Sequence, residues 1–270
     1  MPKIQPKAAP AAKPTGTQSI LRTTALLRLV AAHNRTGLRL VDMTHSTGLD
    51  RSTVHRILQC LVDEHFLLQD TSRRYFLGAV TFEFGLSAAP RFNLRELCAP
   101  SLERIARKSG DMAFLTVRSA DDGVCLDRKE GAYPIRAHTF DIGARRPLGI
   151  GGGSLAILSA LPSAEVERII KHNARLLAAY NSTSAEKLLM QVEQARKLGY
   201  VVREGSVVGA RAIGMAIRNR FGEPFAALSI SAISSRMTKE RHPELTALLK
   251  SEVRAVEKRL LASTGASLAE

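Results

Sequence analysis

The chain has 270 residues, 45% of them hydrophobic, with 39 Lys and Arg against 25 Asp and Glu, a formal charge of +14. That length suits about two domains, no apolar run approaches the roughly 18 residues of a membrane span, and the N-terminus lacks the continuous apolar centre of a signal peptide. Cys60, Cys98 and Cys125 lie far apart with no C-x-x-C pair, so neither a disulfide framework nor a structural zinc site is expected. The composition points to a soluble cytoplasmic protein whose natural partners are polyanions.

Residues 1–16 contain Pro2, Pro6, Pro10 and Pro14, three lysines and no acid. Such a segment cannot bury enough apolar area to order itself, and it reads as a flexible basic arm. Residues 17–78 form the first domain. Residues 1–78 hold 11 Lys and Arg against 5 Asp and Glu, while 79–270 hold 28 against 20, so positive charge is about twice as dense near the N-terminus.

The pattern predicts a helix over 18–33 with Ile20, Leu27, Val30 and Ala31 on its apolar face, closed by turn chemistry at 34–37. A shorter helix over 38–47 ends at Gly48. Asp50 then stands as the N-cap of a third helix, 51–64. There Val54, Ile57, Leu58 and Leu61 make the i, i+3, i+4, i+7 stripe of a buried face. The opposite face of its first two turns gathers Arg51, Ser52, Thr53, His55 and Arg56. Strands at 66–70 and 74–77 flank a turn at 71–73.

Three helices and a hairpin, with a short glycine-containing turn between the second and third helices, make a winged helix-turn-helix. In that arrangement the third helix enters the DNA major groove by its N-terminal residues. Helix dipole, Arg51 and Arg56 favour phosphate, and Ser52, Thr53 and His55 can reach base edges. The plainer alternative is that Ser52 and Thr53 merely finish the cap and the arginines are solvated.

Residues 79–92 read as a connector with helical stretches, and 93–265 as a second domain. Its amphipathic helix NLRELCAPSLERIARKSG closes at Gly110. Strands follow at 112–119 and 123–130 around a turn at 120–122, with a third at 133–140. Then come the Gly-rich GIGGGS, a short helix LAILSA and a helix beginning near Ser163. A further helix over 184–198 has Thr183 and Glu186 spaced as a capping box and Gly199 as its stop. YVVRE, ARAIGMAIRN and PFAALSISA supply further strands, and a last helix runs from about Pro243 to Ala262. This order describes an α+β domain around one sheet.

The glycine loop can present N–H groups at a helix N-terminus, a ready site for a carboxylate. Ser229 and Ser231 alternate onto one face of a strand and can add hydroxyl donors. His138, on the strand ahead of the loop, is a candidate partner for a ligand anion. Residues 146–151 also fit R-x-x-G-x-G, the pyrophosphate-holding pattern of acetyl-CoA-dependent acyltransferases, which makes an enzyme the rival reading. A dinucleotide fingerprint fails because Ser154 stands where glycine is needed. The seven histidines show no metal-binding spacing, no catalytic grouping is marked, and no cofactor is expected. A ligand-binding module without DNA function is the third reading, although it leaves the helix-turn-helix without a purpose.

The runs GTQSILRTTALLRLV, LVDMTHSTGLDRSTVHRILQCLV and RRYFLG resemble the DNA-binding half of IclR-type bacterial transcriptional regulators. LCAPSLERIARKSG, RRPLGIGGGSLAILSALP, LGYVVREGSVVGARAIGMAI and GEPFAALSISA resemble, in order, that family's effector-binding domain. The resemblance implies a GAF-like C-terminal domain, an antiparallel sheet with flanking helices, behind a winged helix-turn-helix. It implies a homodimer or dimer of dimers on a palindromic operator of double-stranded DNA, repressing or activating in response to a small organic acid of a catabolic pathway. Arg51, Ser52, Thr53, His55 and Arg56 match its recognition helix, Arg22 a basic position of the first helix, and Arg73 and Arg74 the wing. For the effector, Gly152 and Gly153, then Ala210 and Ala212, then Ser229 and Ser231 match the lining segments. The family loop reads like H-A-T-A-x-G-K-A, whereas GIGGGSLA lacks the His and the Lys. Some members carry an acidic residue where Val202 stands and a Cys where Ala212 stands. The smaller lining implies room for a bulkier, aromatic acid.

Overall fold

The computed structural model describes residues 17–88, 93–137, 140–177, 180, 184–204 and 209–266. The chain divides between Asn93 and Leu94 into two compact units.

The first unit begins with α1 (Gln18–Ala32), then the two-residue strand β1 (Leu38–Arg39), α2 (Leu40–Thr47) and α3 (Arg51–Asp63). Strands β2 (Leu67–Gln69) and β3 (Arg74–Leu77) follow, and β3 pairs antiparallel with both β2 and β1. The unit ends with α4 (Ala79–Ala88). Its core joins Leu26 and Val30 of α1, Met43 of α2, Val54, Leu58 and Leu61 of α3, and Leu67 and Tyr75 of the wing. Each such aliphatic side chain removed from water contributes about 1.5–3 kcal/mol.

The predicted face of α1 is corrected at its first turn. Ile20 is 61% exposed and full burial begins only at Leu26, so the stripe reads from Leu26 and Val30. Part of the predicted second helix is β1, a two-residue strand too short to announce itself by alternation. Gly48 closes α2 with φ at +66°, and its N–H donates to Thr44 O at 3.0 Å. That left-handed step suits glycine and sets the turn into α3.

The second unit carries one six-stranded antiparallel sheet, order β6-β5-β4-β9-β8-β7. The strands are β4 (Met112–Ser119), β5 (Asp122–Lys129), β6 (Arg145–Pro147), β7 (Val201–Glu204), β8 (Ala210–Arg218) and β9 (Pro224–Ile233). Helices α5 (Leu94–Ser109) and α9 (His242–Ala266) pack with Leu115, Ile213, Leu228 and Ile230 on one face. Helices α6 (Gly152–Ala160), α7 (Ser163–Leu177) and α8 (Ala185–Leu198) belong to the other core, with Val201 and Ala227. Strand β9 is buried on both sides, so Ala226, Leu228 and Ile230 serve the first core while Ala227, Ser229 and Ser231 turn to the α6 side.

Two expectations for this unit change. The described residues between 133 and 140 form no strand, because β6 takes the edge of β5 through pairs such as Gly123 with Arg146. Tyr133 instead donates its N–H to Gly110 O and lies under the Arg236 guanidinium at 3.8 Å. The cap of α8 is Ser184, whose hydroxyl accepts from Lys187 N at 3.1 Å. That is one residue after the expected Thr183, which lies outside the described residues.

Candidate functional site

Helix α3 presents two chemically different faces. Val54, Leu58 and Leu61 are buried, while Arg51, Ser52, His55 and Arg56 are exposed and Thr53 is half-buried. Asp50 caps the helix: its Oδ1 accepts from Thr53 N at 2.8 Å and from Ser52 Oγ at 2.6 Å. These bonds, from the Ser52 hydroxyl first and Thr53 next, hold the Asp50 carboxyl far below the usual carboxylate range. Ser52 therefore uses its hydroxyl within the cap, which leaves Arg51, His55 and Arg56 as the outward groups of the first two turns. Gln59 extends the stripe one turn further and donates to Asp63 Oδ1 at 2.8 Å.

The wing separates its two arginines. Arg73 is exposed at the tip with φ at +59°. Asp70 fixes that turn by accepting from Arg74 N and Ser72 Oγ, each at 2.8 Å. Arg74 is half-buried and donates Nη1 to Gly37 O at 3.2 Å, tying the wing to the turn after α1. Arg22 is half-buried on α1.

The second unit holds a cavity of about 30 Å³ where the N-terminus of α6 meets the sheet. It is lined from the sheet by Phe114, Thr116, Ala212, Ser229 and Ser231, and from the approach to α6 by Arg146 and the turn 150–154. Phe140 completes the lining. The glycines bring helix and sheet together. A Cβ on Gly153 would stand 2.7 Å from Thr116 Oγ1, one on Gly152 2.8 Å from Ala212 Cβ, and one on Gly214 2.6 Å from Gly152 O. Gly151 is the N-cap at φ +96°, a conformation that favours glycine. Ser154 Oγ accepts from Gly149 N at 3.0 Å.

Two features make the cavity chemically pointed. Ser231 is 3% exposed, and its Oγ has no hydrogen-bond partner in the structure. The Arg146 guanidinium lies 4.6 Å from the centre of the Phe140 ring. Burial pulls Arg146 below its ordinary range, against the opposing influence of Tyr180, Cys125 and Asp141. The Cys125 thiol is pushed up to about 12 by burial, so it stands neutral and unreactive.

Of the residues expected at the effector site, Gly152, Gly153, Ala212, Ser229 and Ser231 converge on this cavity. Ala210 is buried on the same strand as Ala212 but does not line it. His138 lies outside the described residues. Val202 packs into the core of the α5 and α9 face. Its neighbour Arg203 pairs across from Ala212, on the α6 side, and donates Nη1 to Gly149 O. Burial lowers the Arg203 guanidinium to about 10. Sequence reasoning assigned Arg146 only to the R-x-x-G-x-G pattern and missed it as a lining residue. Among the described residues no group of three or more His, Cys, Asp or Glu is placed to hold a metal, and no helix is long and apolar enough to cross a membrane.

A winged helix-turn-helix with a cationic, solvent-facing third helix, followed by an α/β unit with a small polar pocket, is the build of a DNA-binding transcriptional regulator carrying a sensor domain. The family model for the IclR helix-turn-helix domain matches residues 19–71, and that for the bacterial transcriptional regulator IclR C-terminal domain matches residues 86–258. The chain belongs to the IclR family of bacterial transcriptional regulators. It is 30% identical over 245 residues to the HTH-type transcriptional regulator KipR of Bacillus subtilis, covering 90% of this chain and 97% of that one. It is 31% identical over 249 residues to the acetate operon repressor of Salmonella typhimurium, covering 90% of each. Its fold is shared by an IclR homolog of Microbacterium hydrocarbonoxydans complexed with 4-hydroxybenzoate. That match has a TM-score of 0.70 and 21% identity over 91% of this chain and all of that one.

Proposed function

We propose that the chain represses or activates transcription from a palindromic operator as a homodimer or dimer of dimers in the cytoplasm. A small organic acid of a catabolic pathway would control it. One observation carries the DNA side: the exposed edge of α3 is Arg51, His55 and Arg56 on a capped N-terminus, while its other face is locked in the core. Insertion in the major groove puts those groups at base edges and phosphates, with Arg73 of the wing on the backbone; the expected basic arm at 1–16 lies outside the described residues. Phe82, Phe84 and Leu86 of α4 are mostly exposed, and a second copy is the proposed cover for that apolar surface.

The acid is assigned to the cavity beneath α6. Its cation, hydroxyls and helix N-terminus suit a carboxylate. The homolog's 4-hydroxybenzoate keeps an aromatic acid in the family's range, but 30 Å³ is about the room of one or two waters. At that size any organic acid requires lining side chains to move, a ring more so than a compact acid. Binding controls transcription only if one arrangement of the protein takes the acid more tightly than another.

The test is a fluorescence titration of DNA upstream of the protein's own gene. Arg56→Ala should weaken specific binding by about 1–3 kcal/mol if Arg56 reads a base. Unchanged affinity would remove Arg56 from the interface, and absence of any specific, salt-sensitive retention by the wild type would remove the operator reading itself.

A further inference from the structure

We infer that the end of the second unit where the β8–β9 hairpin joins α9 is a docking surface for an acidic protein segment that carries an apolar anchor residue. It shares no residue with the cavity beneath α6 or with the exposed edge of α3.

The hairpin tip is tightly held, yet it leaves its largest side chain in water. Asn219 N donates to Glu223 O and Gly222 N to Asn219 O, each at 2.9 Å. The Asn219 Oδ1 accepts from Phe221 N at 2.9 Å and from Glu223 N at 3.0 Å, and Gly222 closes the turn with φ at +79°. This turn displays Phe221, 71% exposed, with the Arg220 guanidinium 4.6 Å from the centre of its ring. An exposed ring adds nothing to the core. Aromatic and arginine side chains on a pre-ordered backbone are, by contrast, the groups that dominate protein interfaces.

Helix α9 continues the surface. Arg218 N donates to Glu257 Oε1 at 2.8 Å, which ties the hairpin to the helix one turn before Leu261, itself 59% exposed. Arg254 and Lys258 are exposed and form no ion pair among the described residues. Lys258 also lines a groove of about 450 Å³ together with Ala255, Ala262, Arg104 and Arg259. Arg104 and Glu252 cancel each other, and the remaining arginines and lysine outnumber Glu223 and Glu257. The sign of this charge decides the occupant. A second copy docked about a two-fold axis would set these cations against their own images, which like charge opposes. Duplex DNA would meet the cations but make no use of Phe221 and Leu261. An acidic segment with a leucine or aromatic residue answers both.

The probe is a fluorescein-labelled helical peptide of about 15 residues, built from Glu and Ala with leucines at i, i+4 spacing. Fluorescence anisotropy on the intact protein would compare it with the same peptide lacking leucine, with its Lys-for-Glu counterpart and with a random-sequence duplex. The acidic leucine peptide should bind, and either change to it should weaken binding about tenfold or more. Phe221→Ser should weaken it about 10- to 30-fold, the loss typical of an interface anchor, and Lys258→Glu about tenfold. Leu261→Ser repeats the apolar test at a second exposed position. Lys187→Glu makes the same change of net charge at an exposed position of α8 and should leave affinity within about twofold. No binding by the wild type overturns the inference, as does equal binding of the leucine-free peptide. A loss in Lys187→Glu as large as in Lys258→Glu overturns it in favour of attraction to net charge alone. Unchanged affinity in both Phe221→Ser and Leu261→Ser overturns the apolar anchor. If Phe221→Ser instead weakens duplex binding, or lowers the oligomeric state in sedimentation, the surface belongs to DNA or to a second copy and the acidic partner is overturned.

Discussion

Gly153 shows how much of the pocket is set by what is missing from one residue. Its virtual Cβ falls 2.7 Å from Thr116 Oγ1, 3.1 Å from Thr116 Cβ and 3.3 Å from Ser229 Oγ. Thr116 is 2% exposed and belongs to the sheet, so it has little room to yield. Overpacking of this kind costs about 1–3 kcal/mol, and the better helix propensity of alanine returns about 0.5–1 kcal/mol. Gly153→Ala should therefore destabilise the second unit by about 0.5–2 kcal/mol and close the cavity. A urea midpoint at the wild-type value would mean that α6 lifts off the sheet without cost. The glycine run was legible as a special loop, yet its physical use differs in part from the one expected. Gly152 and Gly153 serve helix-to-sheet approach, a use that the glycine pattern by itself does not reveal. Arg146 was illegible as a pocket residue because a three-residue strand shows no alternation; only the pairing of β6 with β5 decides which arginine faces inward.

Among the elements, α5 and α9 are held together by a buried carboxylate. Glu252 of α9 accepts from Arg104 Nε at 2.9 Å and Nη2 at 2.7 Å, a two-pronged pair. Burial works against the Glu252 charge, but the bonds from Arg104 and Ser101 and the charges of Arg104 and Arg259 outweigh it and hold the carboxyl below its usual range. A depressed folded pKa gives stability that is complete above the unfolded value, near 4.5, and is lost as pH falls through the folded value. Glu252→Gln should cost about 1–3 kcal/mol near neutral pH, below the loss typical of a fully buried pair because Arg104 can rehydrate. The gap between variant and wild type should hold from pH 7 to about pH 5 and shrink below that in thermal melts; a gap that widened in acid would contradict the assignment. This clamp joins residues 148 positions apart and leaves no trace in local periodicity. Helices with a clear stripe and a capping residue, such as α3 behind Asp50, were legible because their signals are local. Residues 133–140 alternate enough to suggest a strand, but edge pairing goes to whichever segment the fold brings to β5, and that is 145–147.

Across the molecule, charge is the property that couples sequence to function most directly. A net +14 draws the protein to any duplex, and sequence preference must come from a few groups superimposed on that attraction. The two contributions are separable because phosphate contacts release counterions and base contacts do not. In the proposed interface Arg73 is assigned to phosphate and Arg56 to a base edge, on opposite sides of that division. Arg73 is exposed at the wing tip, and its left-handed backbone is one that asparagine tolerates well, so Arg73→Asn removes the charge without adding strain. Each phosphate contact contributes a slope of about −0.9 in log affinity against log salt, so losing one in each subunit of a dimer should flatten the slope by about 2. The ratio of operator to random-DNA affinity should stay within about twofold, since no base contact is touched. Arg56→Ala should do the reverse, lowering that ratio with a smaller change in slope. Titrations of both variants on operator and random DNA at several salt concentrations check the division. If Arg73→Asn left the slope unchanged, the wing would not reach the backbone, and the cationic face would be confined to α3.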